Sequence, residues 1–225
     1  MGVVRLDLHV HSRHSPDSPL SIEEIVARLP TVGLNGFALT DHNSVAGHGE
    51  LAEAQAKHPE LVLVPGVEIS TREGHLLAYG VSEAPPEGRP VAEVIDWVRD
   101  HGGVPVLSHP FRLSHGVGRA VAESVQGVAV ETVNGHNSLL ANRRAAAVAA
   151  RRHLATTGGS DVHDLSNLGR AYTEFADGTA TVAAALRSLR EGKVTAGGRG
   201  LSVAEWLRYE WQTTVLRAKR GFRPI

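Results

Sequence analysis

The stretch "RLDLHVHSRHSPDS", residues 5–18, contains three histidines and two aspartates. Its first half alternates apolar and polar residues, the pattern of a strand whose successive side chains point to opposite faces. The apolar residues at 6, 8 and 10 would then lie on an outer face, with Asp7, His9 and His11 on the inner one. Polar groups on an inner face need partners, because burying them unpaired costs roughly 1–3 kcal/mol each. The stretch therefore predicts one wall of a metal site.

The composition narrows the ligand chemistry of such a site. The chain has 225 residues, enough for a single domain with a sizeable core, and no cysteine, which excludes disulfides and thiolate zinc sites. It has 13 histidines, and imidazole and carboxylate are the usual remaining ligands. Lys+Arg number 23 and Asp+Glu 24, so a broad electrostatic surface for duplex nucleic acid is not expected.

The termini give weaker indications. The sequence shows neither the apolar core of a signal peptide nor an apolar run of membrane-spanning length, so we expect a cytoplasmic protein without a membrane partner. No feature specifies an oligomeric state. Residues 201–225 predict a C-terminal helical tail that ends in a basic run, which we interpret as a solvated terminus, with nucleic-acid contact as the less favoured alternative.

Short apolar runs alternate with helical patterns along the chain. Ser21 followed by Glu24 is a capping box, the signature of a helix start. Such alternation predicts an α/β fold with a mostly parallel sheet and outer helices, either closed as a barrel or open and doubly wound. The strand-like runs begin at residues 3, 36, 61, 75, 103, 127 and 153; the helical patterns cover 21–29, 46–58, 91–101, 137–152 and 179–192.

Histidines and carboxylates recur where these apolar runs end. In parallel barrels, functional residues gather at the carboxyl ends of the strands. Each motif alone has an ordinary explanation, since surface histidines and turn aspartates are common. Together the motifs predict a metal site, although one of them, His75 in "GHLLAYG", begins its run instead of ending it. The other motifs are "TDH" with Asp41 and His42, "GVEIS" with Glu68, "SHP" with His109, and "GSDVH" with Asp161 and His163.

The motifs "DLHVH", "TDH", "GVEIS", "HLLAYG", "SHP" and "GSDVH" follow one another between residues 7 and 163, and "LGRAYTEF" extends them to 175. In this order they resemble the polymerase and histidinol phosphatase (PHP) family of metal-dependent phosphoesterases. The resemblance implies a single-domain, TIM-like distorted barrel of seven β/α units, a (β/α)7 PHP fold, over residues 1–200. It also implies two or three divalent ions (Mn, Zn or Fe).

The resemblance further implies three sets of ligands. Relatives usually place the first-motif aspartate five residues after the second histidine. That position is Pro16 here, so Asp17 requires an extra loop residue, and His14 is the alternative ligand. One ion would take His9, His11, Glu68 and Asp161; a second, bridged by Glu68, would take His75 and His109; a third would take Asp17, His42 and His163.

The expected chemistry is hydrolysis of a phosphate ester in a small molecule or nucleotide. A metal-bound hydroxide would attack phosphorus in line, with no side-chain nucleophile. Arg112 and Arg170 are the candidates for binding the substrate phosphate. The leaving oxygen would take a proton from Asp41 or a histidine, or would be bound by the third ion. Asp7 is expected to orient a ligand histidine, and Glu131 and Asn134 to line the pocket. No role is assigned to His115 or His136.

Three other functions remain open at the level of sequence. A 5′-3′ exonuclease acting on short nucleic acid would need only a terminal nucleotide or two in the site. Hydrolysis of a C–N bond is known for related barrels with similar ligands. A non-enzymatic, polymerase-accessory-like domain is disfavoured by the nearly full ligand set.

Overall fold

The computed structural model describes residues 2–176, 178–208 and 211. Within them, nine strands form one sheet in the order β7-β6-β5-β4-β3-β2-β1-β8-β9. The strands are β1 (Val4–Val10), β2 (Gly36–Leu39), β3 (Val62–Ser70), β4 (His75–Tyr79), β5 (Val104–Leu107), β6 (Ala129–Asn134), β7 (Thr156–Gly159), β8 (Ala171–Phe175) and β9 (Val194–Gly198).

The sheet curls into a nearly closed barrel. Strands β1 to β7 follow one another in chain order, and Val10 of β1 forms a parallel bridge with Val162, just after β7. Seven of these strands point in one direction, whereas β4 and β8 are reversed and pair antiparallel with both of their neighbours. The predicted distorted barrel in a single α/β domain is confirmed, and it differs from a regular parallel barrel in its two reversed strands.

The helices match the predicted patterns, with one addition. Ser21 caps α1 through both bonds of the predicted capping box, so local sequence sets that helix start. The sequence reading missed α4, β8 and β9, which are short or contain few apolar residues. The helices are α1 (Ile22–Val32), α2 (His48–Lys57), α3 (Val91–Asp100), α4 (Gly118–Ser124), α5 (Leu139–Arg152) and α6 (Val182–Arg190), with a 3₁₀ turn at Leu165–Asn167.

Strand β1 departs from strict alternation. Its register with β2 shifts between Asp7 and Val10, as at a β-bulge, a feature that re-aims side chains near active sites. Leu6 and Leu8 consequently pack in one apolar cluster and Val10 in another, beside α1. The expectation of one apolar outer face and one polar inner face along the whole strand was therefore wrong.

Two predictions concern the ends of the chain and its membrane contacts. Residues 203–208 are helical, and most of the predicted 201–225 tail, including its basic end, lies outside the described residues. Over the described part of the chain, no helix combines the length and apolar character needed to cross a bilayer.

Candidate metal centre

All nine predicted ligand residues converge at one end of the barrel. Most lie near the carboxyl end of a parallel strand or within a few residues after it, and His75 joins them because β4 runs in the opposite direction, so that its first residue lies at the same end. Each residue belongs to a group of three or more potential ligands whose atoms lie within 4.8 Å of one another. The residues brought together are His9, His11, Asp17, His42, Glu68, His75, His109, Asp161 and His163.

Glu68 lies at the centre of this cluster and is 1% exposed. Its Oε1 atom is 2.9 Å from Nδ1 of His75 and 3.1 Å from Nε2 of His109. Its Oε2 atom is 3.1 Å from Nε2 of His9 and 3.3 Å from Nε2 of His11. The two carboxylate oxygens thus face the two predicted ligand sets separately, which is the arrangement that a bridging carboxylate requires.

Asp17 lies among the third predicted set despite the extra loop residue. Its Oδ2 atom is 3.2 Å from Nε2 of His42 and 3.0 Å from Nε2 of His163. Ser15 donates a hydrogen bond of 2.7 Å to the other oxygen. His14, the alternative ligand, instead pairs with a glutamate of α2 at 3.1 Å. The loop therefore absorbs the insertion.

Glu131 orients the ligands from behind. Its Oε1 atom is 3.0 Å from Nδ1 of His9, and its Oε2 atom accepts from the backbone N–H of His109 at 2.8 Å and from the Asn134 amide at 3.0 Å. A carboxylate on the second ring nitrogen fixes the tautomer and angle of a metal-binding histidine. The sequence reading placed Glu131 and Asn134 only in the pocket lining and missed this role.

Two aspartates have roles other than those expected. Asp7 accepts backbone N–H groups from Ser160, His9 and Gly169, which ties β1 to the segment after β7, and its carboxylate orients no histidine ring. Both oxygens of Asp41 accept from Ser12, at 2.6 Å from its N–H and 2.8 Å from its hydroxyl. Asp41 therefore holds the Ser12 loop, and nothing in its contacts supports proton donation to a substrate.

Two cluster residues adopt backbone conformations that L-residues rarely use. His109 has a φ of 27° and Asp161 a φ of 61°. Such strain, of order 1–3 kcal/mol each, persists only where the surrounding structure enforces it, and it is concentrated at functional sites. The N–H of Asp161 donates to the His9 carbonyl at 2.8 Å, which anchors one of the two strained residues.

The carboxylates and imidazoles perturb one another strongly. Burial disfavours the charged form of Glu68, yet the charges of His9, His75 and His42 hold the pKa of that carboxyl well below its usual range. Burial likewise opposes protonation of His42, but Glu68 and Asp17 raise the pKa of its imidazole to about 9. Burial and the nearby Arg112 lower the pKa of His109 to about 3, so this ring is neutral and able to bind a metal.

The donors fit divalent metal ions. Nε2 of His11 is buried without a hydrogen-bond partner and lies 3.3 Å from Glu68 and 3.5 Å from Asp161. A cation among these atoms would be ligated by the orphaned nitrogen and would neutralise the buried carboxylates. Imidazole with carboxylate suits Mn, Fe or Zn. The number and identity of the ions stay predictions.

The two predicted phosphate-binding arginines lie in different surroundings. Arg112 pairs with Asp161 and donates to Asn134 at 2.9 Å and to Asn137 at 3.1 Å, so it lies at the edge of the cluster. Arg170 pairs with Glu205 at 3.2 Å and contacts no member of the cluster. The geometry thus favours Arg112 over Arg170 for a role at the site.

Two histidines without a predicted role also adjoin the cluster. His136 forms a potential ligand group with Asp161 and His163. The His115 ring stacks on that of His75, with 4.7 Å between centroids and 3° between planes. Both lie in loops without a strand motif, so sequence pattern gave no signal for either.

The barrel and its histidine–carboxylate cluster define a candidate metal-dependent hydrolase. The chain belongs to the PHP family: the PHP domain model matches residues 7–145, and the PHP-associated model matches residues 140–194.

Curated relatives resemble parts of the chain. An uncharacterised protein of Methanocaldococcus jannaschii is 28% identical over 118 residues, which cover 48% of this chain and 68% of that protein. A 5′-3′ exoribonuclease of Haemophilus influenzae is 48% identical over 67 residues (30% of this chain, 24% of the relative). A 3′,5′-nucleoside bisphosphate phosphatase of Chromobacterium violaceum is 34% identical over 88 residues (37% and 30%). The matches to the two enzymes thus span less than a third of their lengths.

Solved structures share the fold at low sequence identity. PsfC of Pseudomonas syringae superposes with a TM-score of 0.69 at 18% identity, covering 97% of this chain and 99% of that one. A putative metal-dependent phosphoesterase of Bifidobacterium adolescentis gives 0.58 at 20% identity, covering 71% and 87%. An amidohydrolase of Chromobacterium violaceum with bound sulfate gives 0.63 at 19% identity, covering 84% and 97%.

Proposed function

We propose that this protein is a metal-dependent phosphoesterase that removes phosphate from a small phosphorylated molecule or a nucleotide. The observation that carries the proposal is the central position of Glu68, whose two oxygens face separate sets of histidines. Membership of the PHP family and the similarity to a nucleoside bisphosphate phosphatase support the same class of reaction. The domain boundary at residue 200 and the cytoplasmic location stay predictions.

The bound ions would supply an activated water and charge neutralisation for phosphoryl transfer. The residues of the chain determine where this happens. Glu68 contacts the two histidine sets through separate oxygens, and Glu131 contacts the ring of His9 and the backbone N–H of His109. The nine ligand residues converge on one small region, and the scissile phosphate would have to bind there.

Arg112 is the proposed phosphate-binding residue. Its side chain is 22% exposed, and its guanidinium contacts Asp161 within the cluster. A guanidinium is always charged and carries several N–H donors, which favours the charge of a phosphate dianion. Asn134 and Asn137 hold the side chain in position from β6 and the loop after it.

Stepwise removal of nucleotides from a 5′ end is the second candidate activity. It is favoured by the 48% identity to the exoribonuclease, although that match covers only 67 residues. A panel of four substrates with Mn²⁺ separates the two activities: a phosphomonoester, a phosphodiester, a 3′,5′-bisphosphorylated nucleotide and a 5′-labelled oligonucleotide. We expect the protein to release phosphate from the small compounds. Stepwise shortening of the oligonucleotide alone would establish the nuclease instead.

Replacement of the bridging carboxylate tests the core of the proposal. Glu68→Gln keeps the shape but removes the charge shared by both ligand sets, so we expect at least about a 100-fold loss of kcat and the loss of one or more bound ions. Metal content by elemental analysis and phosphate release measure the two effects. Glu60→Gln, at an exposed glutamate outside the cluster, is the control. Full activity of the Glu68 variant, or less than one ion in the unmodified protein with no gain from Mn²⁺ or Zn²⁺, would overturn the proposal.

A further inference from the structure

A cavity of about 400 Å³ opens beside the metal centre. Its walls are the turn between β3 and β4, residues 70–75, and the His115 segment of the loop after β5. We call it the β3–β4 cavity. It shares His75 with the cluster, so the cavity and the metal centre adjoin each other at this residue.

The walls of this cavity are firmly held. Thr71 closes the turn by accepting from the Gly74 N–H at 3.2 Å and donating to the Gly74 carbonyl. The His75 N–H donates to the His115 carbonyl at 2.9 Å. A Cβ atom on Gly74 would lie 2.6 Å from His115 O and from Val117 N, so only glycine permits this close approach of the two loops. The cavity is therefore a fixed feature of the fold.

One side of the cavity is a flat aromatic surface. The rings of His75 and His115 lie parallel, 4.7 Å apart between centroids. The His115 backbone adopts a φ of 65°, and this conformation, together with the hydrogen bond to His75, places the ring there. The His115 ring is the exposed one of the two, and a sugar or a base of the substrate can contact it.

The cavity also carries an uncompensated positive charge. Arg72 lies at the exposed tip of the turn, and none of the described residues pairs its guanidinium with a carboxylate. The acidic residue beside it, Glu73, instead accepts from the Val91 N–H at 2.8 Å, at the start of α3. Glu73 thus caps that helix and does not pair with Arg72, whose charge is available for a ligand.

We propose that the β3–β4 cavity binds the alcohol portion of the phosphate ester and that Arg72 binds a second anionic group on it, a phosphate or a carboxylate. This inference rests on the proposed phosphoesterase function. It narrows the substrate class from phosphate esters in general to esters whose leaving group is itself an anion. It also makes Arg72 a specificity-determining residue that takes no part in the chemical step.

Two pairs of substrates test this assignment. Adenosine 3′,5′-bisphosphate and adenosine 3′-monophosphate differ by one phosphate, and 3-phosphoglycerate and glycerol 3-phosphate differ by a carboxylate. We expect the unmodified protein to prefer, in at least one pair, the member whose leaving group carries a negative charge. Arg72→Gln should lower kcat/KM for that member by about 10- to 100-fold, mainly through KM, and change the other member less than about threefold. The pair that responds distinguishes a phosphate ligand from a carboxylate.

The controls separate this inference from a general effect of charge. Arg28→Gln removes an exposed charge on α1, remote in sequence from the cavity, and should leave both ratios unchanged, whereas Arg72→Lys should restore part of the preference. Equal loss for both members of a pair, or no loss for either, would overturn the role of Arg72. If the unmodified protein hydrolyses none of the four compounds but binds metal, the phosphoesterase proposal fails first and this inference falls with it.

Discussion

At the scale of single residues, two buried carboxylates organise the site in layers. Glu68 faces the ring nitrogens that point into the cluster, and Glu131 contacts the opposite nitrogen of His9. Nδ1 of His9 is thereby held by a carboxylate while Nε2 points toward Glu68 and Asp161. Glu131 therefore orients the His9 ring from its outer nitrogen and leaves the inner nitrogen available to bind a metal ion.

Glu131→Gln should weaken metal binding without unfolding the protein. The amide keeps the volume but replaces the charged acceptor of the His9 ring, so we expect about a 10- to 100-fold loss of metal affinity. Titration with Mn²⁺ or Zn²⁺ followed by calorimetry measures this loss. Glu50→Gln, which also removes a carboxylate paired with a histidine but outside the cluster, is the matched control. Equal affinities for the Glu131 variant and the unmodified protein would show that the contact is not needed to orient His9.

At the scale of elements, two strands position the cluster in ways that depend on their partners. The reversal of β4 brings His75 to the end of the barrel where the parallel strands finish. The residues of β7, "TTGG", leave space for the backbone of β1, because a Cβ on Gly159 would lie 2.4 Å from the Cβ of His9 and 3.0 Å from Oε1 of Glu131. Close contact between β1 and β7 thus depends on this glycine.

Gly159→Ala should therefore affect stability and the site together. Overpacking a buried contact of this kind costs about 1–3 kcal/mol, which corresponds to ~2–4 °C in melting temperature per kcal/mol for a chain of this size. The methyl group would also displace His9 and lower metal content. Gly49→Ala in α2, where a Cβ meets nothing within 4 Å, is the control and should leave the melting temperature equal or higher. A Gly159 variant as stable and as metal-rich as the unmodified protein would contradict this account.

At the scale of the whole molecule, the cluster joins segments that are far apart in the chain. Its members come from residue 9 to residue 163, and bound ions would link the ends of β1, β2, β3, β4, β5 and β7. A ligand that binds only the folded state stabilises it in proportion to its affinity and concentration. The metal centre is therefore coupled to the stability of the barrel.

Chelation should lower the melting temperature, and the effect should grow with pH. Metal must displace the proton from His42, whose pKa is raised to about 9, so metal affinity rises with pH toward that value. In the metal-free protein, by contrast, the contribution of His42 to stability falls as pH rises. Protonation of His42 stabilises the fold below the unfolded-state pKa of about 6.5, and this contribution is lost as pH rises through about 9. Thermal unfolding with and without chelator across this range tests both; a chelator effect that is absent or shrinks with rising pH would refute the coupling.

The sequence by itself determined most of the strand and helix alternation and the strand-end candidate ligands, since periodicity, capping and strand-end histidines are local signals; the grouping of the ligands and the choice of Asp17 came from the resemblance to the PHP family. His9 and His11 were identifiable because an apolar strand carried them, and Asp161 and His163 because they follow another. Only the tertiary structure decided the reversal of β4, the bulge that separates Asp7 from Val10, the orienting role of Glu131 and the positions of His115 and Arg72. These features depend on pairing between distant segments of the chain. The sequence around a residue does not show which residue it contacts across the barrel, because periodicity reports only local structure.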